Sequence, residues 1–95
     1  MNPTDSLPTV LVVDDEVRSQ DAMRRTLDED FAVYTASDAD EARERLERTD
    51  ISVILCDQRM PGLTGVLFLK EVRERWPDTV RIVISGYTDS EDIIA

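Results

Sequence analysis

Two short apolar runs, each ending abruptly in acid, constrain this chain more than any other feature. Val10-Leu11-Val12-Val13 runs into Asp14-Asp15-Glu16, and Ile51-Ser52-Val53-Ile54-Leu55-Cys56 runs into Asp57. Both are too short for free-standing helices, are rich in β-branched residues and are apolar at successive rather than alternate positions. That pattern fits strands buried on both faces. A sheet covered on both sides is normally parallel, with crossover helices doing the covering. In such an open sheet, ligands bind outside the carboxyl ends of the strands, where the strand order reverses. Both runs deliver carboxylates to that edge. Met60-Pro61-Gly62 and Gly65 then supply turn residues for a tight loop leading back into a helix.

The remaining elements follow in order. Residues 1–8 read as a disordered arm, with Pro3 and Pro8 bracketing polar residues, and order begins at Thr9. From Glu16 to about Glu29, Val17, Met23 and Leu27, with Ala22 beside them, predict one apolar helix face. Phe31 to Ala36 reads as a weaker strand at the sheet edge. Ser37 with Asp40 three residues on marks a helix start, followed by Ala39, Ala42 and Leu46 at helical spacing; the charges between them predict a solvated face. Thr64 can cap a helix whose inward side is Gly65, Phe68, Leu69, Val72 and Trp76, stopped by Pro77. Val80 to Ile84 is a fourth strand delivering Ser85 and Gly86, and Thr88 with Glu91 opens another helix. The alternation predicts an α/β fold, a doubly wound parallel sheet of flavodoxin-like order 2-1-3-4. Strands one and three are then neighbours, and Asp14, Asp15 and Asp57 converge.

Length allows one domain, since the chain has 95 residues. There is no apolar run of membrane-spanning length and no signal-peptide pattern at the start, so the cytoplasm is the expected compartment. The lone cysteine, Cys56, sits in a buried strand and reads as packing. Acids outnumber bases 21 to 11, for a net charge of −10. A segment so acidic repels phosphate backbones, which argues against direct nucleic-acid binding and for a cationic partner.

Three carboxylates in one crevice raise the pKa of at least one unless a cation neutralises them. With no histidine in the chain (His 0) and oxygen donors only, the expected ion is Mg²⁺ rather than zinc. Beside a strand-end aspartate, such an ion suits phosphoryl transfer to a carboxylate. Ser85 could donate a hydrogen bond to a phosphoryl oxygen. Each motif also has a plain alternative: an acidic first helix turn, a turn aspartate, a Ser-Gly loop.

Taken together, V-L-V-V-D-D-E, I-L-C-D-Q-R-M-P-G-L-T-G and R-I-V-I-S-G-Y resemble the receiver domain of bacterial two-component response regulators, from Thr9 onward. The motifs most resemble receivers of nitrogen-regulator-type transcriptional activators, including hydrogenase regulators, and of cyclic-di-GMP phosphodiesterase regulators. The resemblance implies a phosphorylation-dependent signalling switch rather than a turnover enzyme. Asp57 would accept a phosphoryl group from a sensor histidine kinase, while Asp14, Asp15 and Asp57, with the backbone carbonyl of Arg59, hold Mg²⁺. Ser85 would be the switch hydroxyl, with Gln58, Gly86 and Tyr87 modulating. It also implies an attached output domain, transcription regulation and a homodimer. The family pattern continues into a fifth strand with a site lysine and a fifth helix. Here the chain ends at Ala95 and its single lysine, Lys70, lies in the third helix, so residues 9–95 read as a receiver incomplete at its C-terminus, with the fourth strand as an apolar edge. Two alternatives stand beside this reading. One is a Mg²⁺-dependent phosphatase with an aspartate nucleophile, although Arg59 occupies the position where such enzymes carry a second acid. The other is a receiver-like module that works without phosphate.

Overall fold

Strand and helix alternate without exception in the computed structural model, which describes residues 7–60 and 62–84. The elements are β1 (Thr9–Val13), α1 (Val17–Leu27), β2 (Ala32–Ala36), α2 (Ala39–Arg48), β3 (Val53–Asp57), α3 (Gly65–Arg75) and β4 (Val80–Ile84). All strand pairs are parallel and the order is β2-β1-β3-β4. This is the flavodoxin-like order expected from the alternation, with β2 on the edge and β1 beside β3. The helix expected from Thr88 onward lies outside the described residues.

Register sorts the strand residues between two faces. Leu11 pairs with Ile54 and Val13 with Cys56. All four are fully buried and join Ala42 and Leu46 of α2 with Phe68, Leu69 and Val72 of α3 in one cluster. Val12 and its partner Leu55 point the other way, toward α1. Successive strand positions are therefore apolar because each face has its own helices. On the α1 side the cover is partial: Val80 and Ile82 of β4 remain 55% and 44% exposed.

Several local expectations change. Helix α1 is shorter than the span from Glu16 to Glu29, with Glu16 and Asp28 as its caps. Val17, expected on the inward face, is 64% exposed. It occupies the first turn, past the carboxyl end of β1, where no sheet lies beneath it. The inward stripe is Gln20, Met23 and Leu27, and Ala22 is exposed. Phe31 precedes β2, its N–H donating to the Leu27 carbonyl in the turn after α1. The cap of α2 is Asp38 and not Ser37: the Asp38 carboxylate accepts from the Glu41 N–H at 2.8 Å. Thr64 caps α3 as expected, accepting from the Leu67 N–H at 3.3 Å. The charged face of α2 is not wholly solvated. Arg43 grips Glu71 of α3 through two nitrogens at 2.6 and 2.8 Å, with its guanidinium 5.6 Å from the Phe68 ring centroid.

Candidate functional site

At the carboxyl edge of the sheet, β1 and β3 end side by side, and their acids meet. Oxygens of Asp14, Asp15 and Asp57 all lie within 4.8 Å of one another. Parallel pairing dictates this: Val13 stands opposite Cys56, so the next residue on each strand is an aspartate. Asp15 is exposed, Asp14 partly buried and Asp57 only 4% exposed. The crevice thus has an open acidic lip and a sheltered acidic floor.

The two inner carboxylates are held differently. One oxygen of Asp14, Oδ1, accepts from the Glu16 N–H at 2.9 Å, an Asx-type turn that bends the chain into α1. Burial pushes the Asp14 carboxyl above the usual aspartate range, against the lowering by that hydrogen bond; the charges of Asp57, Asp15 and Glu16 push further upward. Asp57 Oδ1 accepts a longer bond from the Arg59 N–H at 3.3 Å. Asp57 Oδ2 is buried and, among the described residues, has no hydrogen-bond partner. A buried carboxylate oxygen without a donor is costly, and such an atom in a native site calls for a partner: water, an ion or a reacting group. Cys56, immediately before Asp57, is inert: burial foremost, with the charges of Asp57 and Asp14, pushes its thiol up to about 12.

The loop after β3 is tied down tightly. The Gln58 N–H donates to the Ile84 carbonyl and the Gly65 N–H to the Gln58 carbonyl, both at 3.1 Å. The Gln58 side chain turns away from the acids, its Oε1 accepting from the Val66 N–H at 2.9 Å in the first turn of α3. Helix α3 begins so close to β3 that a Cβ on Gly65 would stand 2.5 Å from the Asp57 carbonyl oxygen. Only glycine fits there. Gly62, with φ of 79°, supplies the left-handed turn in the same loop.

Of the residues singled out from the sequence, Asp14, Asp15 and Asp57 come together, Arg59 touches Asp57 through its amide, and Gln58 braces the loop. Ser85, Gly86 and Tyr87 lie outside the described residues. Two contributors escaped the sequence reading. The contact of Gly65 with the Asp57 peptide leaves no trace in residue pattern. Gln20 did leave one, as a polar residue three and seven positions before Met23 and Leu27 on the same helical stripe. Beside the acids, an apolar cavity of about 290 Å³ between α1 and the sheet is lined by Val12, Leu55, Met23 and Ile84 and reaches Asp14 and Asp57.

A parallel sheet of this order with three acids at its switch point defines a class, and the family comparison agrees with the geometry. Residues 10–95 match the response regulator receiver domain, and the chain belongs to that family, the receivers of two-component systems. Among its relatives is the hydrogenase transcriptional regulatory protein HoxA of Cupriavidus necator, 78% identical over 92 residues. The HoxA protein of Bradyrhizobium diazoefficiens is 62% identical over 87 residues. These alignments take in 97% and 92% of this chain but only 19% and 18% of the relatives, so the chain spans about a fifth of their length. A crystal structure of a response regulator receiver protein from Pseudomonas putida superposes with a TM-score of 0.79 at 30% identity, covering 94% of this chain and 76% of that one. No helix among the described residues is long and apolar enough to cross a membrane.

Proposed function

We propose that this chain is a phosphorylation switch in which Asp57 accepts a phosphoryl group from a sensor histidine kinase and, in doing so, controls an attached output module that regulates transcription. One observation carries the reading: the buried, unpartnered Oδ2 of Asp57 within a cluster of three carboxylates. The donor set is all oxygen, crowded and anionic, which fits Mg²⁺ held by Asp14, Asp15, Asp57 and the Arg59 backbone carbonyl. When bound, the ion would offset the charge of both the acids and the transferring group.

The residues of the chain account for the rest of the chemistry. Asp57 supplies the nucleophilic carboxylate oxygen; as the new P–O bond forms, the P–N bond to the donor imidazole breaks and the electron pair stays on that nitrogen. The Arg59 N–H on Oδ1 holds the carboxylate in one rotamer and so keeps the other oxygen available. Gly65 and Gln58 fix the backbone on which Asp57 stands. By the chain's likeness to the receiver family, we assign Ser85 as the hydroxyl donor to the phosphoryl oxygens, with Gly86 and Tyr87 adjusting the lifetime of the phosphorylated state. New contacts to the aspartyl phosphate would then shift a population between two loop states. We assign the protein to the cytoplasm, where the kinase's phosphohistidine and the target DNA of an output domain are found.

The test is incubation of full-length protein with a small acyl phosphate and Mg²⁺. Intact mass should show one added phosphoryl group on the wild type, none on Asp57→Asn, and none on the wild type when a chelator replaces Mg²⁺. Equal labelling of both proteins overturns the assignment. Catalytic release of phosphate from a generic ester, turnover after turnover, would instead favour an aspartate-nucleophile phosphatase.

A further inference from the structure

The buried amide of Gln20 has no part in the chemistry above, yet it is joined to the acid loop more directly than any other side chain of α1. Gln20 is 8% exposed and sits on the inward stripe of α1, a position where an apolar residue would cost nothing to bury. A primary amide there is unfavourable unless bonded. Its Nε2 donates to the Asp14 carbonyl at 2.6 Å and to Ser37 Oγ at 3.0 Å, and approaches the Ala36 carbonyl at 3.4 Å. Two of these three atoms are backbone carbonyl oxygens, which only accept. The group facing them must be the NH₂, so the amide has one possible orientation.

The Asp14 carbonyl belongs to the peptide unit that joins Asp14 to Asp15. Fixing that oxygen fixes the peptide plane between two of the three clustered acids, and with it the directions in which both side chains leave the backbone. Ser37 and Ala36 form the start of the β2–α2 connection, so the amide also ties the acid loop to the neighbouring strand end. There the Asp14 N–H already donates to the Ala36 carbonyl at 3.0 Å. Mutual repulsion of the acids works to spread the loop, and the Gln20 amide opposes it from beneath.

We propose that Gln20 is a positioning residue for the acid site: without touching the ion or the phosphoryl group, it sets the relative aim of Asp14 and Asp15. The proposal rests on the function inferred above, but its structural half can be read without a metal. In metal-free full-length protein, Gln20→Met keeps the side-chain volume and removes the donor. It should speed hydrogen exchange of the Asp14 and Glu16 amides about tenfold relative to that of Gln58, the cost of one lost hydrogen bond. Mg²⁺ affinity should fall about tenfold or more, as for loss of a residue that orients metal ligands. Gln20→Glu, which turns a carboxylate toward two carbonyls, should be worse on both measures. Ile51→Val, a core change remote from the loop, should lower global stability while leaving both measures at wild-type values. Ser37→Ala removes one acceptor with little risk to folding and should give the same local acceleration, more weakly. If Asp14 and Glu16 exchange as in wild type in both Gln20→Met and Ser37→Ala, the proposal is overturned. It is equally overturned if the variants bind Mg²⁺ as wild type does. If wild type binds no Mg²⁺ while the local acceleration is present, the functional reading falls and the tie between Gln20 and the loop stands.

Discussion

The two faces of one sheet solve different problems here. Under α2 and α3, alternate residues of β1 and β3 are sealed by Ala42, Leu46, Phe68, Leu69 and Val72 into a single closed cluster. Under α1, the intervening residues meet a helix whose most buried member is a glutamine, beside a cavity of about 290 Å³ that opens to Asp14 and Asp57. The acids belong to the second face because strand alternation carries Val12 to Asp14 and Leu55 to Asp57. The closed face supplies the rigidity that holds the strand ends in register. Among the described residues, the face under α1 is the less closed of the two, and its cavity reaches the acids.

That contrast can be broken most directly by equalising the faces. Phe68 is fully buried in the closed cluster, and Phe68→Ala should lower unfolding free energy by about 3–5 kcal/mol, the cost of a lost aromatic plus its cavity. Met23 borders space that already exists, so Met23→Ala should cost only about 1–2 kcal/mol, below the usual ~2–5 for such truncations. Urea unfolding followed by circular dichroism reads both. Similar losses at the two positions would mean that the faces do not differ in packing as described.

A second change acts where the faces join. Gly65 lies against the Asp57 peptide, and Gly65→Ala would force its Cβ to within 2.5 Å of a backbone oxygen. Neither partner is a flexible side-chain end, so either α3 or the end of β3 must shift. The expected loss is about 1–3 kcal/mol, and phosphoryl labelling of Asp57 should fall much further than that loss explains. Labelling at the wild-type rate in Gly65→Ala would show that the placement of the acid tolerates movement of α3.

Much of this was legible beforehand. Nearly unbroken apolar runs rich in β-branched residues, an acid at the end of each, and the strand–helix alternation led to the sheet order, and through it to the meeting of Asp14, Asp15 and Asp57. Thr64 was readable as a cap because its hydroxyl needs only local backbone to bond. What was hidden depended on contacts between segments. Val17 looked inward by spacing, but helical periodicity does not record where the sheet beneath ends. Ser37 and Asp38 are both competent caps, and the choice fell to the one whose carboxylate reaches the Glu41 amide. Gln20 broke an apolar stripe, and its meaning appeared only once β2 and the acid loop stood beside it. Arg43 and Glu71, 28 residues apart in the chain, could not be paired from composition.

That last pair offers the smallest of the expected effects and tests how the closed face is locked from outside. Each side chain is 29% exposed, and the hydrogen bonds from Arg43 foremost, followed by its charge and that of Arg75, hold the Glu71 carboxyl below its ordinary value of 4.5. A carboxyl with a depressed folded-state pKa stabilises the fold above its unfolded pKa, and that contribution disappears as pH falls through the folded value. Glu71→Gln should therefore cost about 0.5–1 kcal/mol near pH 7, with the two-nitrogen geometry lifting it above a typical surface pair and solvent screening keeping it small. The gap between wild type and variant should narrow below pH 4.5 and close once Glu71 is protonated in the folded protein. High salt at pH 7 should narrow it as well. The absence of any gap at pH 7 would mean that Arg43 contributes to the α2–α3 contact through its packing on Phe68 rather than through charge.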